Sequence, residues 1–260
     1  MMPPAPAANR DAPLEADYWA ESRRPLTSLA FVAPILAIYE VGVLVLGPQA
    51  MRNGADVWLR RVLELLDLGQ YFLLPVLVVS ILLGWHHTTR QPWRVSRPVL
   101  SGMVVECFLL AVCLRLALQA EAMVLQSLAG ALSPQPVSTS LVLDTSGRLA
   151  GLVGYLGAGV YEELLFRLVL LAPTVRALQR GGLTQDKAVL AAVAATSLIF
   201  ALAHYVGPYG DPIELGRFAF WFGFVFRFIA GVFFSGLFVF RGFGIAVGTH
   251  AAYDVLVQLW

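Results

Sequence analysis

Two adjacent carboxylates, Glu162 and Glu163, and an arginine, Arg167, stand inside an apolar stretch that runs from Leu152 to Leu171. A charge at the centre of a membrane helix costs about 2.5–3.5 kcal/mol, so three of them call for partners or a task. On a helix, residues i and i+4 share a face, so Glu163 can pair with Arg167. Glu162 points about 100° away from its neighbour at 3.6 residues per turn and has no cation on its own helix. Two further apolar runs carry His204, and His250 with Asp254 four residues later. A carboxylate and an imidazole that face one cavity can activate a water molecule. A second imidazole can steady the oxyanion of a tetrahedral intermediate. The His250–Asp254 spacing lets the carboxylate hold that ring in one orientation. Together these are the parts for hydrolysing an amide bond inside a membrane. Glu162, His204 and His250 could instead form a His₂Glu zinc set, or the polar groups could simply hold a helix bundle together.

Other designs for intramembrane proteolysis are absent from the sequence. There is no His-Glu-x-x-His zinc motif and no Gly-x-Ser-Gly. Tyr253-Asp254 lacks an accompanying Gly-x-Gly-Asp. Cys107 and Cys113 share one apolar run, about 9 Å apart along a helix axis, too far to bridge.

Composition fixes the setting. The 260 residues are 58% hydrophobic and only 13% charged, with mean hydropathy +0.72, which describes a polytopic membrane protein rather than a soluble enzyme. A net charge of +1 gives no footing for nucleic acid.

Taken in order, residues 1–27 read as a Pro/Ala-rich mobile tail. Ser28–Leu46 is a first span and carries Glu40. Residues 53–68 alternate Val57, Leu59, Val62, Leu63, Leu65 and Leu66 with Arg60, Arg61, Glu64 and Asp67. The spacing predicts an amphipathic helix, with Asn53 or Asp56 as its cap, lying along the membrane interface. Tyr71–Trp85 is a short span that Pro75 could kink. His86 and His87 fall in the polar loop after it. Val99–Leu118 follows, with Glu106 inside. Residues 120–147 are a polar connection. Arg148–Val175 holds the glutamate pair, Ala188–Tyr205 holds His204, Arg217–Phe240 holds Arg227, and Gly244–Leu259 holds His250 and Asp254. One of the acids, Glu106 for example, is expected to neutralise Arg227 across helices. Gly244-Ile-Ala-Val-Gly248 is a GxxxG, which favours close helix packing.

This reading gives an all-α, polytopic membrane bundle of about seven transmembrane helices plus an amphipathic interfacial helix. Its parts are the tail, an N-terminal transmembrane region at 28–147 and a four-helix core at 148–260. The loops at 86–98 and 176–187 hold the arginine excess and fall on one side. By the positive-inside rule the N-terminus is cytoplasmic, in a membrane expected to be the bacterial inner membrane.

Glu162-Glu163-x-x-x-Arg167, then Phe200-x-x-x-His204, then His250-x-x-x-Asp254, resembles the CPBP family. That family groups CAAX-prenyl-protein endopeptidases (Rce1-like) with bacteriocin-processing and immunity relatives. The resemblance covers residues 148–260. It implies a glutamate-dependent intramembrane endopeptidase. The helix bearing the glutamate pair offers no histidine, which favours a site without a cofactor, with zinc as the alternative. Glu162 and His204 would activate water, Glu163 would pair with Arg167, and His250 with residue 254 would form the oxyanion site. The family often has Asn at that last place. Asp254 cannot donate a hydrogen bond unless protonated, so its expected role is to hold His250. The implied partner is a membrane-embedded or membrane-anchored peptide or protein. Two other classes use the same residues: a non-catalytic scaffold or immunity-type protein, and a proton-coupled transporter. No inverted repeat of the kind common in transporters relates residues 28–118 to 148–260.

Overall fold

The computed structural model describes residues 14–69, 71–129, 145–207 and 210–259, and every described element is helical. The helices are α1 (Leu14–Ser22), α2 (Pro25–Leu46), α3 (Gly54–Leu65), α4 (Leu73–Thr89), α5 (Arg97–Ala129), α6 (Thr145–Glu163), α7 (Ala172–Arg180), α8 (Gln185–Ala203), α9 (Phe218–Arg241) and α10 (Phe243–Leu259). Between α6 and α7 the chain winds as a π-helix over Leu164–Leu171.

Four helices are long and apolar enough to cross a membrane: Pro25–Leu46, Arg97–Val124, Gln185–Ala203 and Phe218–Arg241. Large apolar side chains on them face outward, among them Ile38, Val41, Val105, Phe108, Leu190 and Ile199. A bundle bathed in lipid can carry such a surface, whereas one in water would aggregate through it. α4 is apolar but shorter, at 17 residues.

The bundle is organised around α10, which packs on α2, α5, α6 and α9. Its Phe243 and Val247 join one core with Leu36, Tyr39, Leu74, Val78 and Val160. Its Ile245 and Ala246 join another with Met103, Cys107 and Phe234. The GxxxG does what its small residues allow: a Cβ on Gly248 would stand 2.5 Å from the Phe31 ring and 2.7 Å from the Cys107 sulfur. The space is already filled by neighbours, so α10 lies close against α2 and α5.

Several expectations need correction. Leu14–Ser22 is a helix where a tail to residue 27 was expected, and α2 begins at Pro25. The rest of the tail, residues 1–13, lies outside the described residues. α1 escapes a hydropathy reading because polar contacts hold it. Tyr18 donates to Glu106, Arg241 donates to Ser22 Oγ at 3.0 Å, and the Arg241 guanidinium lies 3.8 Å over the Trp19 ring. His86 is wholly buried near the end of α4 rather than in a loop, edge-on to Trp93. α5 continues to Ala129, well into the expected connection; 130–144 fall outside the described residues. Pro75 sits in the first turn of α4, where its missing N–H costs little.

The cross-helix pairing of Glu106 with Arg227 is also corrected. Arg227 donates to Asp211 at 2.5 Å, and Glu106 takes a two-pronged hydrogen bond from Arg241 at 2.6 and 2.7 Å. Two parallel charge-assisted bonds are the strong form of this contact. Glu106→Ala is therefore expected to lower stability by about 1.5–3 kcal/mol and Arg227→Ala by much less. Thermal melting of the two variants in detergent micelles checks this; equal melting would contradict the assignment.

The π-helix has a local cause. Pro173 lacks an N–H, and its ring would strike the carbonyl of Val169 in a regular α-helix. The wider winding before it relieves the crowding, and Ala172 N–H bonds to Arg167 O, five residues back. The wide segment starts immediately after the glutamate pair and contains Arg167.

Candidate active site

Glu163 sits at the centre of the cluster. Its Oε1 accepts a hydrogen bond from His250 Nδ1 at 2.8 Å, and its Oε2 lies 3.1 Å from Arg167 Nε. Glu163 and Arg167 are both wholly buried, so the i,i+4 pair expected from the sequence is formed. It is a charge contact: among the described residues no Arg167 nitrogen meets an acceptor in hydrogen-bonding alignment. The guanidinium lies instead over the Phe200 ring at 5.2 Å and near Phe166 at 6.0 Å, a favourable placement for a cation out of water.

His250 is held differently from expectation. Asp254 Oδ2 is 3.7 Å from His250 Nε2, beyond hydrogen-bond reach, whereas Glu163 on α6 bonds Nδ1 directly. A carboxylate can only accept unless protonated, so the proton of this bond sits on Nδ1. The ring stacks on Phe234, with centroids 4.4 Å apart and planes 12° from parallel. Its Nε2 is 3.8 Å from Glu162 Oε2. Four groups from three helices, Glu162 and Glu163 of α6, Phe234 of α9 and Asp254 of α10, thus surround one imidazole.

The approach of α6 to α10 makes this possible. A Cβ on Gly159 would lie 2.8 Å from Ala251 Cβ and 2.9 Å from its backbone nitrogen. Only a residue without a side chain admits that contact, three residues before Glu162 and next to His250.

Glu162 is differently placed from its neighbour. Its Oε1 accepts from Asn53 Nδ2 at 2.7 Å; its Oε2 has no hydrogen-bond partner among the described residues. Glu162 lines a cavity of about 260 Å³ together with His204, Phe166, Trp58 and Arg61. His204 caps the C-terminus of α8, and its Nδ1 donates to the Phe200 carbonyl at 2.8 Å. A carbonyl only accepts, so Nδ1 carries the proton and Nε2 is left as the basic nitrogen. The cavity therefore receives one imidazole and two carboxylates, Glu162 and Asp211, of which Asp211 is paired with Arg227. His250 and Asp254 stand behind Glu162 and do not line it.

Of the six residues singled out in the sequence, Glu162 and His204 share the cavity, and Glu163, Arg167 and His250 form a buried chain beside it. Asp254 is at the edge of that chain. Asn53 was expected only as a helix cap. It does cap α3, since its Oδ1 accepts from Ala55 N–H at 2.8 Å, but nothing in the sequence links it to Glu162, 109 positions away.

Among the described residues, no three His, Cys, Asp or Glu side chains are disposed to hold one metal ion. Glu162, His204 and His250 are not gathered around one point: Glu162 and His204 line the cavity and His250 does not.

Residues 145–256 match the family model described as Type II CAAX prenyl endopeptidase Rce1-like. This match falls on the segment whose three motifs carry the resemblance, and it agrees with it. It points to a protease of the CAAX type. The apolar helices and the match together make the chain an integral membrane protein. No curated protein and no solved structure matches the chain.

Proposed function

We propose that the protein is a glutamic-type intramembrane endopeptidase that hydrolyses a peptide bond of a membrane-embedded or membrane-anchored substrate. The observation that carries this reading is that Glu162 and His204, whose Nδ1 is engaged by the Phe200 carbonyl, line one cavity. Water held between them loses a proton to Glu162 as its oxygen attacks the scissile carbonyl carbon. The carbonyl oxygen becomes an oxyanion. We assign the oxyanion contact to His250, whose Nε2 lies behind Glu162 at 3.8 Å from Oε2. With one proton on Nδ1 held by Glu163, only the imidazolium carries the second N–H that would donate to that charge, and the substrate carbonyl must reach past Glu162 to meet it. The C–N bond then breaks, and Glu162 returns the proton to the leaving amine. Arg167 pairs with Glu163 and holds it in place; Asp254 lies too far from the ring to hydrogen-bond it. The reaction uses no metal.

We place the bundle across a bacterial inner membrane with the N-terminus in the cytoplasm. α2, α4, α5, the α6–π-helix rod, α8, α9 and α10 give seven crossings. The arginine-rich turns after α4 and α7 then face the cytoplasm, and α3 lies along the interface.

The test is cleavage of a membrane-peptide library by the purified protein, beside Glu162→Gln and His204→Ala, with and without chelator. Activity should fall by about a hundredfold or more in both variants, and chelator should change nothing. Loss of activity to chelator, restored by zinc, would replace the glutamic mechanism. A folded wild type that cleaves nothing would overturn the proposal in favour of a scaffold.

A further inference from the structure

Glu162 is the one carboxylate of the site that meets a group from outside residues 145–256. We infer that Asn53, at the start of α3, is a positioning residue that fixes the Glu162 carboxylate, holding Oε1 and turning the buried Oε2 toward His250 Nε2, 3.8 Å away. This rests on the proposed hydrolytic role of Glu162.

The amide of Asn53 has only one way to face. Its oxygen is taken by the Ala55 N–H at 2.8 Å, so its nitrogen is the donor presented to Glu162 Oε1 at 2.7 Å. Rotation of the carboxylate about its last bond would break that contact. With Oε1 engaged, Oε2 remains without a hydrogen-bond partner among the described residues.

α3 is itself held rigidly enough to serve as a mount. Asp56 is wholly buried and accepts from Tyr39 Oη at 2.7 Å, Arg52 Nη1 at 2.9 Å and Arg60 Nε at 2.6 Å. Arg60 also reaches the Tyr71 carbonyl at 2.6 Å and Glu40 Oε1 at 3.2 Å. Glu40 in turn accepts from Tyr161, the residue before Glu162. Both Asn53 and the backbone beside Glu162 are thus tied into one network spanning α2, α3 and α6. Placing a reacting group on such a support is what preserves rate: a displacement near 1 Å can cost on the order of a hundredfold.

Two substitutions separate positioning from capping, because Ser and Asp both cap helices as well as Asn does. In Asn53→Ser the cap survives and the amide donor is lost. In Asn53→Asp the cap survives and a second carboxylate faces Glu162. The expected result for Asn53→Ser is a fall in kcat of about tenfold to a hundredfold, with KM within about twofold and melting close to wild type. Asn53→Asp should melt lower than wild type, and this loss should vanish when Glu162→Gln is its background. Wild-type kcat in Asn53→Ser, or an Asn53→Asp effect on melting that ignores the Glu162→Gln change, would overturn the inference. If instead Glu162→Gln itself cleaves like wild type, the proposed function fails and the positioning role with it.

Discussion

Glu163→Ala is expected to destabilise the protein by about 3–5 kcal/mol and to abolish cleavage. The reason is what it leaves behind. Arg167 is wholly buried, and Glu163 is its ion-pair partner among the described residues. With that carboxylate gone, a full positive charge remains inside the bundle against two aromatic rings, and removing one partner of a buried pair is far costlier than never having had the pair. The same change deprives His250 Nδ1 of its acceptor. Two readouts separate these effects. Melting in detergent micelles should fall steeply in Glu163→Ala and recover in the double variant Glu163→Ala with Arg167→Leu, which removes both charges. Cleavage should stay absent in the double variant, because the imidazole is still unheld. Wild-type melting of the single variant would contradict this account.

Gly159→Leu is expected to cost about 1–3 kcal/mol or more and to reduce kcat beyond what the melting loss explains. The atoms a side chain would meet are the backbone and Cβ of Ala251, which have no rotamer to move away with. α10 would have to retreat from α6. Ala251 follows His250 directly, so the 2.8 Å bond to Glu163 lengthens with that retreat. Gly159→Ala should show the same pattern more weakly, since its Cβ is already within 2.8 Å of Ala251. Melting and steady-state kinetics of both variants check the ordering. Unchanged kcat in a folded Gly159→Leu protein would show that helix separation does not set the site.

Much of the site was legible because ionisable groups are conspicuous in apolar runs. Glu162, Glu163, Arg167, His204 and His250 stood out for that reason, and the Glu163–Arg167 pair followed from helical spacing alone. Spacing misled at Asp254. It identifies neighbours on one helix, and His250 takes its partner from another, across the glycine contact at position 159. The same limit explains Glu106. Hydropathy shows that it lies in a span but not which face it occupies, so Arg241 on the far side of the chain was not distinguishable from Arg227. Asn53 was visible as a cap because capping is local; its second bond depends on how α3 docks. α1 has little apolar pattern, and its anchoring by Arg241 becomes visible only in the fold.

Phe200 ties the members of the site to one another. Its ring lies against His204 at 4.9 Å, Phe166 at 5.0 Å, the Arg167 guanidinium at 5.2 Å and His250 at 6.2 Å. Its carbonyl also sets the tautomer of His204. Substitutions at these positions share a wall, so their free energies do not add. Epistasis is built into the cluster: a change tolerated in one background can be lethal to activity in another, and the site can drift in sequence only when several of its members move together.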